Sequence, residues 1–327
     1  MVFRASRRAA LALVAGLLAT SLATAQADYP NRAISFVVPY PPGGAADVFA
    51  RQLGARLAER LGQPVVVENR AGANGNLGSA SVVKAPADGY TLLLGTASTV
   101  AINPSLYGRN MPYDPAHDLQ PVAGTHSMAN VLVVNTATPY KSVADVVAAA
   151  KARPGAVAYA SAGNGNTMHL AGEQFAGMAH VSLLHVPYKG GAPALNDVLA
   201  GQVPMMFNNL PAVVPMVRAG KLRALAVAGA KRSPLLPEVP TMEEAGLKGY
   251  VSTVWNGVFM RAGTPRPLVD RINREIVAVL NAPDFRRSLE EQGYDLIPST
   301  PDEFAALVKS EIPRWAAVVK QSGAKIE

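Results

Sequence analysis

The chain has 327 residues, 49% of them hydrophobic, no cysteine and a net charge of +7. That length suggests two domains with a full apolar core. The missing cysteines exclude disulfide staples, a cysteine nucleophile and a lipid anchor on a terminal thiol. Lys and Arg are dispersed and aromatics make up only 6%, so no basic cluster is interleaved with stacking rings. This speaks against nucleic acid as a partner, while the mild positive balance favours small anions.

At the start, Arg4, Arg7 and Arg8 precede an apolar run that closes on small residues at Ala23, Ala25 and Ala27. This is the pattern of a secretory signal peptide over residues 1–27. Cleavage after Ala25 or after Ala27 satisfies the small-x-small rule equally, and Ser6-Arg7-Arg8 leaves a twin-arginine route open beside the general one. The run is shorter than the roughly 20 residues of a membrane span. Removing its three arginines leaves +4, and the remainder is expected as a soluble protein exported to the bacterial periplasm.

Beyond the signal, apolar strand runs alternate with helix-period segments, the pattern of parallel sheets with crossover helices. Ile34 to Val38 reads as a strand and Ala46 to Leu61 as a helix. That helix places Ala46, Ala50, Leu53, Leu57 and Leu61 on one face and Arg51, Gln52, Arg56 and Arg60 on the other. A strand at Val65 to Glu68, a short helix at Asn76 to Lys84 and a strand at Thr91 to Leu94 follow. A turn-rich passage, INPSLYGRNMPYDPAHDLQPVAG, then breaks the alternation. It resumes with VLVV from Val131, a helix over Val143 to Lys151, VAYA from Val157, a helix over Thr167 to Met178 and LLHV from Leu183. A helix at Ala194 to Leu199, the strand VPMMF, a segment through Val217 and the strand LRALAVAG complete a second unit. After another turn-rich passage, KRSPLLPEVPTMEEAGLKGY, come one strand, Gly257 to Met260, and three helical stretches. The last part has too few strands for a sheet of its own and is expected to return to the first unit. The expected division is therefore residues 28–123 with 230–327 as one discontinuous lobe, and 124–229 as the other.

Open parallel sheets bind ligands beyond the carboxyl ends of their strands, where helix N-termini converge. Tyr40 to Ala45 lies at such a place. Gly43 and Gly44 lack Cβ, so a ligand can approach the backbone, and the free N–H groups of the first helical turn favour a carboxylate or phosphate. Asp47, in that first turn, reads as a cap that also has the chemistry to accept a hydrogen bond from a ligand. A matching turn, SAGNGNTMHLAGEQF, follows the strand at Val157. Here Gly163 and Gly165 expose the backbone, Asn166 or Thr167 serves as cap, and His169 sits in the first helical turn. Thr96 and Ser98, within GTAST, would add hydroxyls. Tyr188 and Asn208 end second-lobe strands on the ligand side. Lys189 reads as a solvated loop residue, and Trp255 is expected to pack in the first lobe.

Catalytic signatures are missing. The sequence has no GxSxG elbow, no P-loop lysine and no cysteine nucleophile. Gly163 and Gly165 begin a GxG, but Met168 stands where a dinucleotide loop needs its third glycine. His169 and Glu173 are one helical turn apart, yet no third metal ligand suggests itself. The reading is a binding protein, with no metal, no cofactor and no catalytic residue; an exported hydrolase or lyase is the rival class.

VVPYPPGGAADVFAR, VVENRAGANGNLGSASVVKAPADGYTLLLGT and NPSLYGRNMPYDPAHDLQPVA, continued by ASAGNGNTMHLAGEQF, HVPYKGGAPALNDVLAGQVPMMF, GKLRALAV, LPEVPTMEEAG, TPDEF and SGAKIE, carry a resemblance in order along nearly the whole exported chain. The sequence resembles the Bug family, the TctC-like substrate-binding proteins of tripartite tricarboxylate transporters. The resemblance implies the type II periplasmic binding fold, two α/β lobes with a hinged ligand cleft. It also implies a monomer that captures a small organic anion, a mono- or dicarboxylate, and delivers it to membrane permease subunits; a receptor serving a sensor kinase is the alternative. Pro42 to Asp47, with Gly43, Gly44 and Ala45, would form one clamp. Ser161 to His169, with Gly163, Asn164, Gly165, Asn166 and Thr167, would form the other, with Tyr188 and Asn208 as wall residues. Two positions depart from the family's frequent choices: Tyr40 replaces a phenylalanine, and Asn208 an aspartate, which removes a negative charge from the cleft.

Overall fold

A computed structural model describes residues 29–324; the expected signal peptide lies outside them. The first lobe opens with β1 (Ile34–Val38) and α1 (Ala45–Leu61). Phe49, Ala50, Leu53, Leu57 and Leu61 of α1 are buried, and the helix ends at Gly62 in the left-handed region at φ 67°, a conformation glycine adopts without steric cost. Next come β2 (Val65–Asn69), α2 (Asn76–Val83) and β3 (Thr91–Thr96). Strands β2, β1 and β3 are parallel neighbours.

The turn-rich passage after β3 proves more regular than its prolines suggest. A π-helical turn (Ser98–Ile102), α3 (Asn103–Tyr107) and α4 (Pro115–Asp118) lead into β4 (Leu119–Asn135), a strand of 17 residues. Pro121 and Gly124 obscure its start in the sequence. Both stand beside register shifts, where an irregular ladder accommodates a residue without an N–H or without a side chain. Its far end is the expected VLVV strand.

The second lobe comprises α5 (Val143–Ala152), β5 (Ala158–Ser161), α6 (Thr167–Ala179), β6 (Leu184–Pro187), α7 (Gly191–Leu199), β7 (Met205–Asn209), α8 (Leu210–Arg218) and β8 (Leu222–Val227). The chain then returns through β9 (Thr253–Arg261), α9 (Arg266–Asn281), α10 (Pro283–Glu290), β10 (Asp295–Leu296) and α11 (Pro301–Ser322).

The sheets are mixed rather than wholly parallel. β9 runs antiparallel between β3 and the first half of β4, while the second half of β4 runs antiparallel to both β7 and β8. One strand thus belongs to both lobes, and the strand order is β2-β1-β3-β9-β4-β7-β5-β6. Gly95, Gly257 and Gly124 lie side by side across β3, β9 and β4. A Cβ at Gly257 would fall 2.1 Å from Phe304 Cζ and one at Gly124 3.2 Å from Phe304 Cδ2, so these two glycines leave the space in which Phe304 seats α11 on the first lobe, while Gly95 makes room for Phe259.

The lobe boundary departs from expectation. Residues up to Ala129 pair with β9 and those from Asn130 pair with β7, so the first crossing lies about six residues later than 124. The passage after β8 packs on the second lobe: Leu236 and Val239 join the core on one face of its sheet, and Met242, Leu247 and Tyr250 the core on the other. The return crossing therefore falls next to Ser252 rather than at 230. At the crossing three segments are tied in a ring. Asn130 N donates to Ser252 O (3.0 Å), Ser252 N to Ala228 O (2.8 Å) and Ala228 N to Asn130 O (2.7 Å). Asn130 Nδ2 also donates to Ser252 Oγ (2.9 Å).

Candidate functional site

A cavity lies between the lobes, with about 670 Å³ of empty space including its opening to solvent. The N-terminal ends of several helices point to it. From the first lobe come Tyr40, Pro41, Gly43, Gly44, Ala45 and Ala46 at the start of α1, and Thr96, Ala97 and Ser98 after β3. From the second come Ala162, Asn166, Thr167 and Met168 at the start of α6, Gly191, Ala192 and Leu195 of α7, and Asn208, Asn209 and Ala212 where β7 meets α8. Met128, Val254 and Asn256 close it from β4 and β9. None of these residues is charged.

The two clamp turns share one construction. Gly43 (φ 86°) and Gly165 (φ 70°) each precede an N-cap residue, Gly44 and Asn166. In each turn the third helical residue reaches back: Asp47 Oδ2 accepts from Gly43 N (2.9 Å), and His169 Nδ1 accepts from Gly165 N (2.9 Å). These side chains brace the turns from behind, bonding the N–H one residue before the N-cap where a capping box would bond the N-cap itself. The N–H groups of Ala45, Ala46 and Asp47 in α1, and of Thr167 and His169 in α6, have no acceptor among the described residues. They are the orphan donors of two helix starts, carrying the partial positive charge of the helix ends.

Asp47 itself is turned from the cavity. Burial would raise its pKa, but Arg51, the Gly43 N–H and Asn69 outweigh that effect and hold the carboxyl below its usual range. Arg51 Nη2 lies 2.9 Å from Oδ1, and Asn69 Nδ2 donates to the same oxygen at 2.9 Å. The carboxylate is thus satisfied by the protein and does not compete for the outward donors.

His169 is likewise withdrawn from the cavity. Its ring stacks on His185 at 3.9 Å between centroids, and its Nε2 faces Glu173 Oε1 at 3.6 Å. Burial, reinforced by His169, pushes His185 down to about 4. Ser161 is fully buried and contacts His185 Nε2 at 2.6 Å, while its Oγ also accepts from Gly163 N at 3.1 Å. This is a serine–histidine pair that the sequence did not suggest. It lines no part of this cavity, and its bonds to Gly163 and His185 fix the turn. Among the described residues no three His, Asp or Glu side chains gather as metal ligands do.

Of the remaining expected site residues, Tyr40, Gly43, Gly44, Ala45, Thr96, Ser98, Asn166, Thr167 and Asn208 meet at the cavity. Pro42 is exposed beside it, and Pro41 takes the lining position. Gly163, Asn164 and Tyr188 line a separate hollow on the outer side of Tyr40 and Pro41, and the Tyr188 hydroxyl donates to Asp197 Oδ2 at 2.6 Å. Gly165 lies against Leu106 of the first lobe rather than against open space. Asn208 Oδ1 accepts from Asn209 N (2.8 Å). A backbone N–H can only donate, so this bond fixes Oδ1 on Asn209 and leaves the NH₂, 3.6 Å from Met206 Sδ, as a donor where an aspartate would offer only acceptors.

Sequence reasoning passed over Met128, Met168, Leu195, Asn209, Val254 and Asn256. It also passed over Gly191 and Ala192, although Gly190-Gly191 at the start of α7 repeats the signature of Gly43-Gly44. The strand residues carry no local motif; only the pairing of β4 with β9 brings them to the cavity.

The lobes touch around the cavity. Asn166 Nδ2 reaches Ser98 Oγ at 3.5 Å, Pro41 abuts Gly190, and Leu170 of α6 buries in the first-lobe core. Two α/β lobes joined by crossing strands around a cavity rich in helix N-termini are the architecture of the periplasmic solute-binding proteins. The chain belongs to the tripartite tricarboxylate transporter family of receptors, whose family model matches residues 49–324. It is 40% identical over 321 residues to protein BugT of Bordetella pertussis, covering 97% of this chain and 98% of that one. Among solved structures it is similar to one from R. palustris with adipate, at 40% identity and TM-score 0.88, covering 91% of this chain and 99% of that one. MatC from Rhodopseudomonas palustris with bound malate shares 33% identity at TM-score 0.84, with 89% and 100% covered.

Proposed function

We propose that this protein captures a small organic carboxylate, a mono- or dicarboxylate, in the periplasm by closing its lobes, and delivers it to the membrane subunits of a tripartite transporter without chemical change. The observation that carries the reading is the pair of helix starts, one per lobe, whose first residues, Ala45, Ala46 and Thr167, line one cavity with N–H groups left without an acceptor and with no charged side chain in its walls. Backbone amides alone suffice to hold an anion, since each such hydrogen bond contributes roughly 1.5–3 kcal/mol. A few of them, less the cost of ordering and closure, give an affinity near the micromolar range. The adipate and malate in the two neighbouring structures support a carboxylate ligand. The contacts of Asn166 with Ser98 and of Pro41 with Gly190 support closure, because they bridge the lobes at the cavity's rim.

A thermal-shift screen of the purified exported chain against mono- and dicarboxylates tests this. A ligand at 100 times its dissociation constant stabilises the fold by about 2.7 kcal/mol, a shift of several degrees. If no organic carboxylate moves the transition, the ligand class is wrong. Coupling to a transporter is tested by uptake: deleting the gene should abolish accumulation of the radiolabelled ligand, and undiminished uptake would refute it.

A further inference from the structure

The helix starts offer the cavity donors, but one wall differs. Asn256, on β9, is 3% exposed and lines the cavity, and its amide is oriented by a closed circuit of hydrogen bonds beneath the floor. Thr125 Oγ1 donates its single hydrogen to the Asn256 main-chain oxygen at 3.0 Å. Its 3.2 Å contact with His126 Nδ1 is then made with Nδ1 as the donor. His126 is wholly buried, with the rings of Phe49 and Tyr294 at 4.0 and 4.8 Å. Burial holds it neutral, its pKa pushed down to about 3. With the hydrogen on Nδ1, Nε2 carries the lone pair, and it accepts from Asn256 Nδ2 at 2.9 Å. The amide is thereby fixed with its nitrogen toward His126. Its oxygen, Oδ1, has no partner among the described residues and is left for the cavity.

We infer that the cavity is built for a carboxylate that also carries a hydrogen-bond donor, a hydroxyl, primary amide or amine, and that Asn256 is the acceptor that reads it. A plain alkyl acid leaves Asn256 Oδ1 buried without a partner. An ionised second carboxylate is worse, since it brings only lone pairs to a lone pair. The circuit of Thr125 and His126 prevents the amide from turning over to suit such a ligand. Thr125 and His126 touch no ligand; they position Asn256.

This inference rests on the carboxylate reading proposed above, and isothermal titration separates the two. The intact exported protein is titrated with hexanoate, its terminal hydroxy acid, adipate and adipate monoamide, and with the corresponding four-carbon set. At the chain length that binds best, the hydroxy acid or monoamide should bind roughly ten- to a hundredfold tighter than the diacid, the penalty of leaving a buried acceptor unpaired. Asn256→Ala should collapse that ratio to near one. Diacids that bind as well as or better than the donor-bearing acids, or a ratio unchanged in Asn256→Ala, overturn the role of Asn256. If no acid in either set binds, the carboxylate reading fails and this inference fails with it. The wild-type ratio needs no variant, so a misfolded Asn256→Ala leaves the test intact.

Discussion

Gly165 stands at φ 70° in the turn before α6, and a Cβ built on it would lie 1.8 Å from Leu106 Cδ2 of the opposite lobe. Gly165→Ala therefore carries two separable costs. The first is local: left-handed backbone costs a non-glycine residue roughly 1–2 kcal/mol, whether the lobes are together or apart. The second exists only where Leu106 meets this turn. The two groups must separate by roughly 1.6 Å to reach ordinary contact, and overpacking of that kind costs about 1–3 kcal/mol. Charged to the closed form alone, this weakens ligand binding about 5- to 150-fold. Urea melts and isothermal titrations of wild type, Gly165→Ala, Leu106→Ala and the double variant resolve the two. Shortening Leu106 in the Gly165→Ala background should recover affinity to within about threefold of Leu106→Ala alone, while the local backbone cost persists in the melts. Unchanged affinity in Gly165→Ala, or a loss that shortening Leu106 does not relieve, would refute the account of this turn as an inter-lobe contact.

Three further outcomes follow from the turns and the buried histidine. Gly44 has the extended backbone of an N-cap (φ −80°, ψ 166°), with nothing within 4 Å of a built Cβ. Gly44→Ser should therefore raise stability by a few tenths of a kcal/mol while weakening carboxylate binding about tenfold, because its hydroxyl occupies N–H groups meant for the ligand; a serine that leaves affinity intact argues against those donors. Asp47→Ala should cost about 1–3 kcal/mol at pH 7 by stranding the Gly43 N–H and Asn69. As the Asp47 pKa is depressed in the fold, the wild-type advantage is whole above about pH 4 and shrinks as pH falls below it; urea melts at pH 7 and pH 3 showing the reverse would contradict this. His126 is neutral in the fold, its pKa lowered to about 3, so its contribution is present above its unfolded pKa of about 6.5 and is lost as pH falls toward the folded value. Between pH 7 and pH 5 wild type should lose on the order of 2 kcal/mol more stability than His126→Gln, and equal slopes would show that His126 is already charged or exposed.

Elements whose side-chain period is local were legible in the sequence. The 3.6-residue spacing of Ala50, Leu53, Leu57 and Leu61 marked α1, and the glycines before α1 and α6 marked the two turns from which those helices start. The long strand β4 was hidden, because Pro121 and Gly124 are turn residues wherever the ladder is regular, and the bulges that accommodate them have no signature of their own. The lobe boundary was misplaced for a similar reason: KRSPLLPEVPTMEEAGLKGY has the composition of a linker, yet Leu236, Val239, Met242 and Leu247 are anchors spaced irregularly along it. At the site, residue type identified which turns had bare backbone but not which way a side chain faces. Asp47 and His169 lie one helical turn from the glycines they brace, and spacing alone does not separate a side chain that reaches backward from one that reaches outward. Asn256 was illegible, since its meaning depends on Thr125 and His126, about 130 residues away in the chain.

Because β4 passes unbroken from one sheet into the other, its ladder is common property of both halves. Any rotation of one half against the other must be absorbed as torsion in a ribbon clasped on both edges, with the ring of Asn130, Ala228 and Ser252 as its collar. Under the proposed closure such a joint would act as a stiff leaf spring rather than a slack tether, setting a restoring force against which an arriving guest must work.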